Sequence, residues 1–247
     1  MNTDTNKAND CSYNNSIQRI CCCADLIGRS STFDDLHKRV YFDLLHRIKQ
    51  NCNILTKLLS REEDYLSIRL IQRSIVEDLI TCFFFLSLDD LSFKCAIQIM
   101  NNKSESSIND WLKAHYEIDS ANKKSNDEGY ITIDDYLATF LEYVQKWKDI
   151  IGIEEVKHII IKEKKIPFSG NPSEMKKITE ENDFGKPIKW LYAEYRFLSQ
   201  VEHYTPLNQG FSYYHNNDDT IKTHEKVIGF CINYLYDVIK ELVNDNN

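Results

Sequence analysis

The sequence predicts an all-α fold, a helical bundle with long antiparallel helices and a helical insert. Only seven glycines and four prolines occur in 247 residues, and all four prolines lie between positions 167 and 206, so most of the chain has no helix breaker. Apolar residues recur at helical spacing over long segments. Ser, Thr and Asp residues stand where these segments begin, as helix caps do. Together these observations favour helices over strands.

The elements can be predicted in chain order. Residues 1–30 are a polar arm that we expect to be flexible or partly helical, and residues 31–247 are predicted to form a single helical domain with a helical insert at 102–165. Caps and apolar spacing predict helices over about 33–59, 62–87, 89–101, 107–122, 132–152, 171–181, 185–204 and 219–243. A polar loop is predicted at 101–106. Residues 156–161 fit a helix or a short β-branched strand, and we favour the helix.

Charge and hydropathy exclude several classes of protein. The net charge of −8 argues against a globally basic coat for nucleic acid or membrane, although it leaves local basic patches open. The polar N-terminus resembles neither a secretory signal nor an anchor. The longest apolar run, residues 79–88, is about half of the roughly 20 residues that a membrane-spanning helix needs. We therefore expect a cytoplasmic protein without a membrane segment.

The eight cysteines predict neither disulfides nor a metal site. They form no C-x-x-C pair, and the chain has no H-E-x-x-H motif, so we expect no metal and no cofactor. Four cysteines fall within helical apolar patterns and are predicted to be buried free thiols: Cys52, Cys82, Cys95 and Cys231. The triplet Cys21–Cys23 is predicted to pack in a short N-terminal helix, with lipidation or oxidation as the alternative.

A polar constellation is predicted between two helices. Arg73 and Glu77 lie one turn apart on the 62–87 helix, which is apolar on both sides and therefore predicted to be central, with a buried ion pair. The 185–204 helix has an apolar face of Trp190, Leu191, Phe197, Leu198 and Val201. Its opposite face carries five hydrogen-bonding side chains, Tyr192, Tyr195, Arg196, Ser199 and His203. If the two helices meet, these residues form one polar network. The alternative is a core network that only fixes helix register.

Two segments carry a resemblance to a known family. LSIRLIQRSIVEDLI, which contains Arg73 and Glu77, and NPSEMKKITEENDFGKPIKWLYAEYRFLSQVEHYTP, which ends just after His203, resemble a family of uncharacterised bacterial helical-bundle proteins. That family pairs an Arg-Ser-x-x-Glu helix with a later Tyr-x-x-Leu-Ser-x-x-x-His helix. The match covers roughly residues 50–90 and 165–240.

Arg196 and His203 also have the Arg-x(4–6)-His spacing of HEPN domains, helical bundles found in toxins and phage-defence effectors. The resemblance implies metal-independent RNA cleavage at a site completed by a homodimer or another protein partner. Arg196 would hold the scissile phosphate, and His203 would move the proton of the ribose 2′-OH. Phe197 departs from the family pattern, since active members usually carry a polar residue after the arginine.

The alternative function is a non-enzymatic interaction or sensing module, in which the same polar stripe holds the bundle together or binds a ligand. The two hypotheses differ at Arg196. A cleft shared by two subunits favours the ribonuclease, whereas an Arg196 that points to water on a monomer favours the module.

Overall fold

A computed structural model describes residues 11–59, 65–125, 134–152, 156–161, 164–181, 184–201 and 218–244. Over these residues the chain is an all-α helical bundle, which confirms the predicted fold class. It also contains one small β-hairpin. The described elements are α1 (Tyr13–Arg29), α2 (Asp35–Leu58), α3 (Tyr65–Leu86), α4 (Asp90–Ser125), α5 (Asp134–Ile151), β1 (His158–Ile161), β2 (Lys164–Pro167), α6 (Pro172–Glu180), α7 (Gly185–Leu198) and α8 (Asp218–Asn244). A short 3-10 helix, Ser199–Val201, continues α7. Within the described chain, no helix is both long and apolar enough to cross a bilayer.

Contacts divide the chain into two compact units. The first unit comprises Met1–Ser87 and Met175–Asn247, and the second comprises Leu88–Glu174. The first unit thus combines sequence from both ends of the chain. The predicted insert, residues 102–165, lies within the second unit.

Helix α3 is the centre of the first unit, as its two apolar sides predict. It packs against α2, α7 and α8, while α1 packs against α2 and α8. Ile75, Ile80 and Phe84 of α3 are completely buried although they point to different sides of the helix, so α3 contributes side chains to contacts on more than one side.

Helix α1 is fastened to this core by polar contacts. The side-chain amide of Gln72 donates to the Tyr13 hydroxyl over 2.9 Å, and the Tyr13 backbone N–H donates to Glu225 Oε1 over 3.0 Å. Burial raises the pKa of the Tyr13 hydroxyl far above its ordinary value. The part of the N-terminal arm from Tyr13 to Arg29 is therefore a docked helix.

The cysteines follow their prediction. Cys52, Cys82, Cys95 and Cys231 are buried free thiols, and no cysteine forms a disulfide within the described residues. Burial raises the pKa of the Cys52 thiol to about 12, so this sulfur stays protonated and unreactive at neutral pH. The cysteine triplet lies in α1, as predicted.

In the second unit, α4 is continuous where the sequence predicts a loop. The expected loop at 101–106 and the expected start of a new helix at 107 are both wrong, because α4 runs unbroken from Asp90 to Ser125. The hydroxyl of Ser104 donates to the Met100 carbonyl over 3.1 Å, and that of Ser107 donates to the Lys103 carbonyl over 3.2 Å. These polar side chains bond along the helix instead of interrupting it.

The helix favoured for residues 156–161 is also wrong. The segments His158–Ile161 and Lys164–Pro167 pair as antiparallel strands, with Ile159 opposite Ile166. The β-branched isoleucines favour an extended backbone, and Ile159 is completely buried. The strand alternative was therefore correct.

The remaining helices match their predicted bounds to within three residues, except at the end of α7. Helix α5 ends at Ile151, and the next residue, Gly152, adopts a φ of +61°, which suits a glycine after the last helical residue. The α-helical part of α7 stops at Leu198, and its predicted continuation to position 204 extends beyond Val201 into residues outside the described part.

Candidate functional site

Four of the predicted site residues lie together where α3 meets α7. Arg73 Nη2 is 3.1 Å from Glu77 Oε1, and the Arg73 guanidinium carbon lies 5.4 Å from the centroid of the Tyr195 ring. Tyr192 stacks on Tyr195 with ring centroids 6.0 Å apart. The Arg73 side chain is 15% exposed and that of Glu77 is 39% exposed, so the ion pair lies at the edge of the bundle and not in its centre.

Ser199 contacts its own helix. Its hydroxyl donates to the Tyr195 carbonyl over 2.6 Å, one turn earlier. This bond satisfies the hydroxyl locally, in the way that serine often does within a helix. The Ser199 hydroxyl thus supports the end of α7 and is not directed to Arg73 or Glu77.

Arg196 is exposed at the edge of the polar stripe, one turn after Tyr192. Lys189, Ala193 and Arg196 follow one another at helical spacing and are all exposed, and Lys186 and Trp190 share this side. We call these five residues the outer face of α7. His203 lies outside the described residues, so the structure does not give its distance from Arg196.

Trp190 differs from its prediction. The sequence placed it on the buried apolar face, but its side chain is 42% exposed, whereas Leu191 and Leu198 are completely buried as predicted. Trp190 lies one residue, or about 100°, away from Leu191, which is enough to rotate its ring out of the core.

A second cluster, which the sequence did not predict, lies deeper between α3, α7 and α8. Arg69 is completely buried, and its guanidinium carbon is 5.6 Å from the centroid of the Phe197 ring. Loss of hydration lowers the pKa of this guanidinium. The other side of the cluster is formed by His224, whose ring centroid is 4.9 Å from that of Phe197.

His224 is held by Glu194. The ring Nδ1–H of the buried imidazole donates to Glu194 Oε2, which fixes the ring relative to α7. His224 Nε2 is enclosed and has no hydrogen-bond partner among the described residues. An open cavity of about 450 Å³ is lined by both members of this pair together with residues such as Ala193, Asp219 and Thr223. Because Nε2 is enclosed, the imidazole does not present this nitrogen to the cavity, and its bond to Glu194 positions α7 against α8.

One sequence signal could have revealed part of this cluster. Arg69, Arg73 and Glu77 recur every four residues along α3, so the charged stripe begins one turn earlier than predicted. No comparable local signal identifies the pairing of Glu194 with His224, because it depends on how two separate helices are rotated.

The described residues contain no group of three His, Cys, Asp or Glu side chains placed to hold a metal ion. Comparison of the whole chain with protein-family models, curated proteins and solved structures finds no match.

Proposed function

We propose that this protein is a non-enzymatic helical interaction module whose partner is RNA. The proposal rests on one observation, the exposure of Arg196 together with Lys186 and Lys189 on the outer face of α7. On a chain with net charge −8, three cations on one side of one helix form a local basic surface. Such a surface attracts phosphate groups even when the whole molecule is acidic.

The cations of this face are available to an anionic partner. Lys186 and Arg196 form no ion pair with any described residue, and Lys189 lies 3.8 Å from Glu180 with 63% of its side chain exposed. Exposed pairs of this kind are weak, typically about 0–1 kcal/mol, and are easily exchanged for a phosphate contact. The carboxylate of Glu194, the one acid of α7, is bonded to His224.

The polar stripe supports a structural role more than a catalytic one. Arg73 is engaged by Glu77 and Tyr195, and Ser199 is bonded to its own helix. Arg196 lies one turn after Tyr192, at the exposed edge of this stripe, and about 100° around α7 from Tyr195. The network therefore secures α7 on α3 and leaves the outer face available for binding.

The test is a titration of a fluorescently labelled 20-nucleotide RNA of mixed sequence, in EDTA, followed by anisotropy and by a denaturing gel. We expect binding with the RNA intact. Arg196→Gln should weaken binding severalfold because it removes one phosphate contact. Arg29→Gln, an exposed arginine on α1, is the matched control and should change little. Absence of binding, or equal effects of the two substitutions, would contradict the proposal.

A second candidate is the metal-independent endoribonuclease implied by Arg196 and His203. The exposure of Arg196 is compatible with this function too, because a phosphate-binding arginine must be accessible. In this case a homodimer or another protein partner would complete the site. Cells that express wild type, Arg196→Ala or His203→Ala distinguish the two functions. Growth arrest and RNA cleavage that both substitutions abolish, with folded protein retained, would establish the ribonuclease, whereas intact RNA with wild type favours the module.

A further inference from the structure

We call the exposed side of α8 that carries Lys222, Lys226 and Phe230 the outer face of α8. We propose that the outer faces of α7 and α8 together form a surface for a single strand of RNA, in which Trp190 and Phe230 stack with bases and the surrounding cations hold phosphates. This inference rests on the RNA binding proposed above. It adds the second helix, the mode of recognition and the preference for an unpaired strand.

Contacts between the two helices establish their register. The ring centroids of Trp190 and Phe230 are 5.0 Å apart, and those of Phe197 and His224 are 4.9 Å apart. Residues later in α7 therefore contact residues earlier in α8, so the two helices are antiparallel. The Trp190–Phe230 pair lies beside the middle of α8.

Both rings of the aromatic pair are accessible to solvent. Trp190 is 42% exposed and Phe230 is 38% exposed, although both helices bury leucine and isoleucine side chains on their inner sides. The two rings meet at 49° and do not lie flat on each other. Base–aromatic stacking needs only an accessible ring face and tolerates any base sequence.

Lys186 already contacts one of these rings. Its Nζ lies 5.2 Å from the centroid of Trp190. A cation–π contact at an exposed site is weak, about 0.5–1 kcal/mol. The ammonium group can therefore leave the ring for a phosphate when a base takes its place.

Cations surround the pair on both helices. Lys222 and Lys226 are exposed on α8 on the same side as Phe230, and they form no ion pair with any described residue. With Lys186, Lys189 and Arg196 they give five cations around two aromatic rings. Alternation of positive charge with aromatic rings is the arrangement that holds single strands in other binding folds.

The spacing of the cations and two exposed acids limit the length of RNA that this surface can bind. From Lys186 to Arg196 the helix rises about 15 Å, which accommodates about four nucleotides at the rise of a stacked strand. The exposed acids Asp219 and Asp237 on α8 lie beyond Lys222 and Phe230, toward opposite ends of the helix. They would repel a strand that extended further along α8.

A single strand suits this surface better than a duplex or an anionic membrane. In a duplex the bases are already stacked and cannot cover Trp190 or Phe230. A membrane-surface helix needs a wide apolar face, whereas the apolar faces of α7 and α8 are directed into the bundle. Two isolated aromatic rings among cations provide little apolar area for lipid.

The experiment measures affinity for labelled single-stranded RNA in the full chain. Trp190→Ala and Phe230→Ala should each weaken binding at least about fivefold. The comparably exposed Trp111→Ala on α4 and Phe42→Ala on α2 are the matched controls and should leave affinity unchanged. Circular dichroism melting curves of all four variants establish that each remains folded.

Charge is tested separately. Lys226→Gln should reduce the slope of log affinity against log salt by about 0.7, the value for one phosphate of a single strand. Lys113→Gln on α4, where the lysine is also exposed, should leave the slope unchanged.

The outcomes separate this surface from the function on which it rests. If wild type binds RNA but the α7 and α8 variants bind as well as their controls, this surface is wrong and RNA binding stands. If wild type binds no RNA, both proposals fail. Equal affinity for duplex RNA would overturn the stacking mode. Binding to phosphatidylserine vesicles that competes with RNA and depends on Trp190 would instead identify a lipid surface.

Discussion

At the scale of single residues, the buried polar groups of α3 each contact a different helix. Arg69 packs on Phe197 of α7, Gln72 bonds to Tyr13 of α1, and Asp78 Oδ1 lies 2.7 Å from Arg47 Nη2 of α2. A buried polar group without its partner typically costs about 1–3 kcal/mol. These contacts therefore determine which neighbour packs on each side of α3.

Asp78 is a buried carboxyl whose charge depends on pH near neutrality. Burial raises the pKa of its carboxyl from 3.8 to about 7, against the opposing effect of Arg47 and with a smaller contribution from Glu77. Arg47 is 60% exposed, so water screens its charge and the ion pair does not offset desolvation. The folded protein thus retains a proton that the unfolded chain loses above about pH 4.

This shift predicts how stability depends on pH. The contribution of Asp78 is complete below its unfolded pKa and is lost as the pH rises through about 7. We expect the wild type to lose stability between pH 5 and pH 8 at up to about 1.4 kcal/mol per pH unit more than Asp78→Asn. Urea unfolding of both proteins across this range measures the difference. Parallel pH profiles would show that Asp78 does not titrate in this way.

Gly229 permits a close approach between α8 and the N-terminal segment. A Cβ atom at this position would lie within 2.3 Å of the Cys11 carbonyl oxygen, which belongs to the backbone and cannot rotate away. We expect Gly229→Ala to destabilise the fold by about 1–3 kcal/mol in thermal or urea unfolding. Gly28→Ala is the control, because its nearest neighbour is the Phe42 ring at 3.3 Å, a side chain that can shift. Equal stability of the two variants would contradict this packing.

At the scale of elements, local signals account for most of what the sequence predicts correctly. Apolar spacing and caps located α2, α3 and α8, since these patterns depend only on neighbours within a few turns. The predictions are wrong where the local residue types favour one structure and contacts elsewhere in the fold favour another. The asparagines and serines of residues 101–106 resemble a loop, yet they lie within α4 because their side chains bond along the helix. The β1–β2 hairpin depends on strand pairing that periodicity cannot reveal.

The same distinction applies to the candidate site. The Arg73–Glu77 pair lies within one helix, so its spacing alone predicts the contact. The contact between Glu194 and His224 joins two helices and depends on their rotation. The outer position of Arg196 also depends on which side of α7 meets α3. Sequence patterns therefore predicted the contact within one helix of the candidate site but not the contacts between helices.

Substitutions at the α3–α7 contact test what secures α7. Arg73→Met removes both the ion pair and the contact with Tyr195, and we expect it to cost about 1 kcal/mol of unfolding free energy. Glu77→Gln should reduce the unfolding free energy by less than about 0.5 kcal/mol. Glu77 is more exposed than Arg73, and its substitution removes the ion pair but keeps the contact of Arg73 with Tyr195. Urea unfolding compares the two. An equal or larger effect of Glu77→Gln would show that charge pairing, not packing on Tyr195, secures the helix.

At the scale of the whole molecule, the negative net charge and the basic outer faces of α7 and α8 have opposite electrostatic effects on an anionic partner. A charge of −8 repels RNA at long range, while five local cations attract it at contact. At ionic strengths near 0.15 M the Debye length is about 8 Å, so distant acids are largely screened and the local cations dominate.

The most direct measurement is therefore the affinity of the wild-type chain for labelled single-stranded RNA at 50, 100 and 200 mM salt. Contacts with three to five phosphates predict a slope of log affinity against log salt of about −2 to −3.5, with the RNA still intact at each point. A slope near zero, or no binding at 50 mM salt, would contradict the account of RNA binding by the outer faces of α7 and α8.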